Sequence, residues 1–220
     1  MARLKDREKA LDLRKKEMSY SQIKDILKVS KSTLSLWLRN YPLPKQRIRE
    51  LRDRNEQRIE RFRDTMRKKK QKRLNKTYKL QKNLILPLSN REVFIAGLFL
   101  YWADGSKYRA DHLSLSNTDP SMINFFIHWI NRCLKVPKKK MRVSLHLYSD
   151  MDVKKEMKYW SNVLKIPLEQ FIRPYVKKTS SERINHKGSF GHGTCNLRVN
   201  SVPLAEKIIM GLKAVADEYK

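Results

Sequence analysis

Three features of the sequence predict an α+β protein: a helix-turn-helix, then a long basic helix, then a mixed domain in the order α-β-β-α-β-α-β-β-α. Residues 1–43 hold short amphipathic segments joined by a tight turn. After Pro44 comes a stretch without Gly or Pro, dense in Lys and Arg, that lasts until Pro87. From residue 84 onward, apolar segments of helical period alternate with short segments of period two. The boundaries are read as 1–43, 44–83 and 84–220.

Residues 3–17 carry good helix formers, with Leu4, Leu11 and Met18 at seven-residue spacing turning one face inward. Ser19, followed three positions later by Gln22, is a capping box opening a second helix over 20–27. Ile23, Ile26 and Leu27 are its expected buried side. Lys28-Val29-Ser30 breaks the pattern, and Ser30 caps a third helix over 31–40 whose Leu34, Trp37 and Leu38 face back. Pro42 and Pro44 end it.

In 44–83, Ile48, Leu51, Ile59, Phe62 and Met66 recur at roughly helical spacing, and acidic residues interleave with arginines to give i,i+3 and i,i+4 pairs. No acid follows Asp64 in this segment, so Arg67, Lys68, Lys69, Lys70, Lys72 and Arg73 run largely unpaired. Forty helical residues would span about 60 Å. The segment reads as a linker lying along a phosphate backbone.

Ser89 and Glu92 form a second capping box, opening an apolar helix from Val93 to Ala103 that ends in Asp104-Gly105-Ser106. Gly105 is expected to permit a sharp exit. Ser106–Arg109 and His112–Asn117 read as a hairpin, and Asp119-Pro120 caps a helix with strongly periodic Ile123, Phe126, Trp129 and Ile130. Lys138-Lys139-Lys140 is a turn, Met141–Tyr148 alternates as a strand, and 152–165 is helical. Phe171–Lys178 and Thr194–Asn200 read as strands around a polar loop, and Val202–Tyr219 closes with a helix.

Composition narrows the function. Fifty Lys and Arg against 22 Asp and Glu leave a net charge of +28, of which residues 44–83 hold +12. Such density costs self-repulsion unless phosphates neutralise it, so nucleic acid is the expected partner. Four Trp and seven Phe within a 40% apolar chain exclude a wholly disordered basic tail. The longest apolar run, eleven residues, falls short of the roughly 20 that cross a bilayer. A charged start without a following apolar stretch suggests no secretory signal, and the widely separated Cys133 and Cys195 suggest a reducing compartment. A cytoplasmic, nucleoid-associated location is expected. His186, His192 and Cys195 fit no common zinc spacing, and the interleaved Gly188, Gly191 and Gly193 suggest a mobile loop that orders on DNA. His112 and His146 read as packed or phosphate-facing.

The stretch Tyr20-Ser21-Gln22-Ile23 through Val29-Ser30-Lys31-Ser32-Thr33-Leu34-Ser35-Leu36-Trp37-Leu38 resembles the recombinase and transposase type of helix-turn-helix, with Lys28 where that family often has Gly. The resemblance implies that the third helix enters the major groove with Lys31, Ser32, Ser35 and Arg39 outward. Lys68, Lys69, Lys70, Lys72 and Arg73 would contact the backbone.

Ala96-Gly97-Leu98, ending in Ala103-Asp104-Gly105-Ser106, resembles the LAGLIDADG motif of homing endonucleases, and Ser116-Asn117-Thr118-Asp119-Pro120 is similar to the segment these proteins carry after their first hairpin. Two extra residues separate the Ala-Gly from the Ala-Asp-Gly, so Phe99 takes the place of the family glycine. The resemblance implies a saddle of strands tracking DNA, motif helices packed side by side in a homodimer through Ala96, Gly97 and Leu100, and Mg²⁺ (or Mn²⁺) at Asp104 and Gly105. A basic group would assist; Lys107, Arg142, Lys177 and Arg198 are the candidates. Lys177 is taken for the catalytic role and the other three for DNA contact.

The function expected is therefore sequence-specific binding of double-stranded DNA, with divalent-metal-dependent phosphodiester hydrolysis by a homodimer. The alternatives are a catalytically silent DNA-binding regulator and an RNA-binding maturase. The N-terminal reader argues against RNA, because A-form major grooves are too narrow for a helix.

Overall fold

The computed structural model describes residues 4–51, 54–107, 111–178 and 191–219. It is an α+β protein in which N-terminal helices precede a mixed four-stranded sheet interleaved with helices. The chain forms two compact units, Met1–Leu86 and Pro87–Lys220.

In the first unit, α1 (Leu4–Lys15), α2 (Tyr20–Leu27) and α3 (Lys31–Trp37) enclose Ala10, Tyr20, Ile23, Val29, Leu34 and Leu38. Both N-caps form as their sequences predict. The Gln22 amide donates to Ser19 Oγ (3.2 Å) while the Ser19 amide donates to Gln22 Oε1 (2.8 Å), and Ser30 Oγ accepts from the Thr33 amide. Lys28 ends α2 in the left-handed region (φ 51°), the conformation glycine adopts most cheaply. Ile26, expected to be buried, is 53% exposed: it lies off the inward stripe that Tyr20 and Ile23 define. The third helix stops at Trp37, three residues earlier than its pattern suggested.

The basic segment is not one rod. Short α4 (Lys45–Glu50) comes first, and Leu43, Ile48 and Leu51 make a small cluster of their own. The long α5 (Arg54–Ile85) follows, 32 residues or about 48 Å. Its early turns pack against the α1–α3 bundle, whereas from Lys68 to Leu86 every residue is exposed.

In the second unit, α6 (Asn90–Asp104) leads to β1 (His112–Asn117), α7 (Pro120–Leu134), β2 (Arg142–Tyr148), α8 (Val153–Leu164), β3 (Tyr175–Lys177), β4 (Thr194–Asn200) and α9 (Val202–Glu218). The sheet order is β1-β4-β2-β3. β4 runs antiparallel to both neighbours and β3 runs parallel to β2. Strand alternation divides the sheet into two faces. Leu113, Leu115, Val143, Leu145, Leu147, Cys195, Leu197 and Val199 join the core with Trp129, Phe126, Tyr101 and Trp160. The opposite face is polar.

Two strand expectations are corrected. Ser106 and Lys107 form no strand: a Ser106 amide bond to the Ser114 carbonyl and a Gly105–Leu115 bridge are the pairing found there, residues 108–110 lie outside the described residues, and β1 takes β4 as its partner. Phe171–Lys178 shrinks to Tyr175–Lys177, because Pro174 lacks the N–H a ladder needs. Gly105 also differs from expectation. Its backbone (φ −74°, ψ 151°) suits any residue. Glycine is required for space, since a Cβ would lie 2.3 Å from the Tyr101 ring.

Candidate nucleic-acid interface

In the first unit, an open groove of about 1730 Å³ runs between α3 with its following loop and α5. Ser35 from α3 and Arg39 from the turn that follows it line the groove together with Lys69, Lys70 and Arg73 from α5. Five of the nine sequence-predicted contacts in this unit thus share one concave surface. Lys31, Ser32, Lys68 and Lys72 lie outside it. The Ser32 hydroxyl is engaged with Ser30 Oγ at 2.8 Å, and the Lys31 carbonyl accepts from Arg63. Arg58, Arg61 and Arg63 add charge to the groove that the sequence pattern does not single out.

Its acids are already neutralised. Asp64 takes both Arg67 and Lys68, so these two are not unpaired as expected. The Lys68 hydrogen bond leads in holding the Asp64 carboxyl below its usual range. Glu60 is buried (4% exposed) against Arg14 (5%), with two parallel bonds of 3.1 and 2.9 Å. Arg14 also donates to the carbonyls of Tyr41 and Met18 (2.8 Å each), and Glu60 accepts from the Tyr20 amide. The Arg14 and Arg63 guanidinium carbons lie 4.6 and 4.4 Å from the Tyr20 ring centre, and burial raises the Tyr20 phenol. This joint fixes the base of α5 to the bundle. Sequence reading missed it because 46 positions separate its partners and Glu60 looks like one more helix-surface acid.

In the second unit the polar sheet face carries His112, Ser114 and Ser116 of β1, and Thr194, Asn196, Arg198 and Asn200 of β4. Arg142, Ser144, His146 and Tyr148 of β2 continue it, with Tyr175 and Lys177 of β3 at the edge. Arg142 stands directly opposite Arg198, a like-charge pair that disfavours the sheet unless an anion is shared. Arg198 Nε is buried without a partner among the described residues. Lys177 Nζ sits 5.4 Å from the Tyr148 ring centre.

Asp104 ends α6 at the β1 edge. Its Oδ2 accepts from Asn117 Nδ2 at 3.0 Å, and Asn117 is itself fixed because its Oδ1 accepts from the Asp119 amide. Lys177 lies on β3, three strand spacings or about 14 Å from β1, so a single chain does not bring it to Asp104. The nearby ammonium is that of Lys107, which donates to the carbonyls of Trp102 and Gly105 at 2.8 Å each. The Gly105 carbonyl, an expected metal ligand, is therefore engaged, and no group of three metal-ligating side chains occurs among the described residues. As they stand in one chain, these residues do not fit a divalent ion: there is one carboxylate, and its neighbouring carbonyls are taken.

The expected dimer residues divide. Gly97 is buried and faces inward, where its missing Cβ makes room for the Trp129 ring; Ala96 and Leu100 are half-buried. The outward stripe of α6 is Ile95, Phe99 and Trp102 (39, 47 and 38% exposed), a spacing of four and three that the sequence displays openly. Of the possible zinc trio, His186 lies outside the described residues. His192 pairs with buried Glu156 at 2.7 Å and stacks on Tyr159. Burial of Cys195 pushes its thiol far up, making it a poor ligand.

Comparison with protein-family models, with curated proteins and with solved structures finds no match for this chain.

Proposed function

We propose that this chain is a sequence-specific double-stranded-DNA-binding protein, with α2–α3 acting as a recombinase-type helix-turn-helix. The observation that carries the reading is the shared groove: Ser35 of the reading helix and Arg39, in the turn just past its end, line the same concavity as Lys69, Lys70 and Arg73 of the basic arm. A helix in the major groove and a cationic arm on the flanking phosphates divide the work, one specifying and the other positioning. The polar sheet face with Arg142 and Arg198 is a second surface for backbone, in the manner of a LAGLIDADG-like saddle. Binding to the nucleoid in the cytoplasm follows from this reading.

The test is fluorescence anisotropy on duplex DNA across a salt series. If about eight phosphates are neutralised, log K falls against log salt with a slope near −7. Replacing Lys69, Lys70 and Arg73 together with Ala should flatten the slope by about 2 to 3 and weaken all sequences alike. A wild-type slope shallower than about −3 overturns the reading, and tighter binding to structured RNA than to duplex DNA turns it toward the maturase.

A second reading, a divalent-metal-dependent DNA endonuclease acting as a homodimer, is favoured by one observation: the Asp104 carboxylate is held in a set orientation by Asn117. A second copy meeting the first across Ile95, Phe99 and Trp102 would bring the second carboxylate that one chain lacks. Plasmid incubated in Mg²⁺ or Mn²⁺ should be cut by wild type and spared by Asp104→Asn. Intact plasmid with both proteins leaves a silent DNA-binding regulator.

A further inference from the structure

We infer that the β2–β3 end of the polar sheet face is a stacking platform for unpaired nucleobases, so that the second unit takes a single-stranded polynucleotide. This goes beyond the duplex reading above and shares with it only the contact of this face with phosphates. Two exposed rings stand side by side there. His146 of β2 and Tyr175 of β3 are register partners with ring centres 5.6 Å apart at 69°, and Tyr175 is 59% exposed. One step further along the same face, Lys177 Nζ lies 5.4 Å from the Tyr148 ring centre. These rings point away from the core, so core packing does not account for them. Aromatic faces set among cations are what an unpaired base stacks on.

The platform is continuous with a seat for phosphate. Arg142 stands on the same face of β2 as His146, about 13 Å along the strand, with Arg198 opposite it. Arg198 Nε is buried without a partner among the described residues, and the two like charges call for a shared anion. Ser144, Thr194 and Asn196 supply donors and acceptors between the two ends, and none of the four strands contains Asp or Glu. A polynucleotide crossing this face meets guanidinium groups for its backbone and rings for its bases. A duplex cannot use the rings, because its bases stack on each other and offer only their edges in the grooves. The rings are also held before any ligand arrives. The Ile172 amide donates to the Val143 carbonyl at 2.8 Å, and β3 is paired with β2 along its whole length, so little ordering is left to offset.

The experiment measures binding of the full chain to two labelled single strands of about twelve nucleotides, oligothymidylate and an abasic strand with the same phosphates. The positive charge of the first unit acts on both strands alike, so the ratio of the two affinities reads contacts to bases. Wild type is expected to bind the thymidylate at least about tenfold more tightly, the gain from one or two stacked bases. Tyr175→Ala with His146→Ala should bring that ratio below about threefold, with the affinities for the abasic strand and for a duplex of equal length unchanged. Tyr175→Phe keeps the ring and should keep the wild-type ratio. Oligouridylate in place of oligothymidylate assigns the strand: a larger ratio marks RNA as the ligand, and a smaller one marks DNA. Equal affinity of wild type for thymidylate and abasic strand overturns the proposal, and so does a ratio that survives the loss of both rings. If the double variant loses its near-ultraviolet circular dichroism, Tyr175→Leu, which keeps bulk on the edge strand and removes the ring, takes its place with the same expected fall. The salt slope on duplex DNA does not depend on these rings, so the two readings fail separately.

Discussion

Replacing Glu60 with Ala is expected to destabilise the N-terminal unit by about 3–5 kcal/mol, the range found when one partner of a buried ion pair is removed. The size follows from what is left behind. The Arg14 side chain is 3% exposed and would keep its charge, with the Tyr41 and Met18 carbonyls as its remaining acceptors. The Tyr20 amide would lose its acceptor as well. Both groups were taken from water on folding, and neither regains it in the variant. Removing both charges is a different experiment. Arg14→Met with Glu60→Leu leaves no orphaned charge and should recover much of the loss, since well-packed apolar pairs replace buried ion pairs at little cost. Urea unfolding of the full chain, followed by circular dichroism, reads the first unit as a transition that moves while that of the second unit holds. A shift below about 1 kcal/mol in Glu60→Ala would mean that water reaches Arg14 and the joint is not closed.

Gly97→Ala is expected to cost the second unit about 3 kcal/mol or more, at the upper end of overpacking effects. The added Cβ would lie 2.1 Å from the Trp129 ring carbons. Trp129 cannot retreat. It is wholly buried, its Nε1 donates to the Phe94 carbonyl at 3.1 Å, and Phe126 and Tyr101 stack near it with ring centres 5.7 and 6.4 Å away. Trp129→Leu opens space, so the pair of substitutions should be non-additive in a double-mutant cycle, with the second change relieving part of the first. Thermal unfolding and sedimentation separate the two roles considered for this glycine. A Gly97→Ala protein of unchanged stability that no longer self-associates would return Gly97 to a seam between copies. Unfolding without that selective loss places the glycine in the intrachain contact with Trp129.

The candidate surfaces were legible in part. Arg39, Lys69, Lys70 and Arg73 could be named because helical periodicity and charge runs are local, and the groove then gathered them. Arg142 and Arg198 could be named as strand cations, but nothing in their spacing says that they stand opposite each other. Lys177 is not distinguished by spacing from Lys107, Arg142 and Arg198. The sheet order carries it to the edge opposite β1, which no local pattern encodes. Phe99 and Trp102 are visible in the sequence only as apolar residues, whereas the small Gly97 suggests a close helix approach. That suggestion was sound, but the approaching group is an indole from the same chain rather than a second backbone.

By itself the sequence determined the class of fold, the capped starts of α2, α3 and α6, the alternation of β1, β2 and β4, and the excess of positive charge. Each of these rests on residues within a few positions of one another: a serine bonding to the third amide beyond it, or side chains repeating every second or every three to four residues. The tertiary structure decided the rest: β1 pairs with β4, β3 lies parallel to β2, Arg14 reaches Glu60, and the Lys107 ammonium turns back onto the end of its own helix. These are choices among partners that look alike in sequence. They are settled by which burial leaves no charge or amide without its complement, and that is a property of the assembled core.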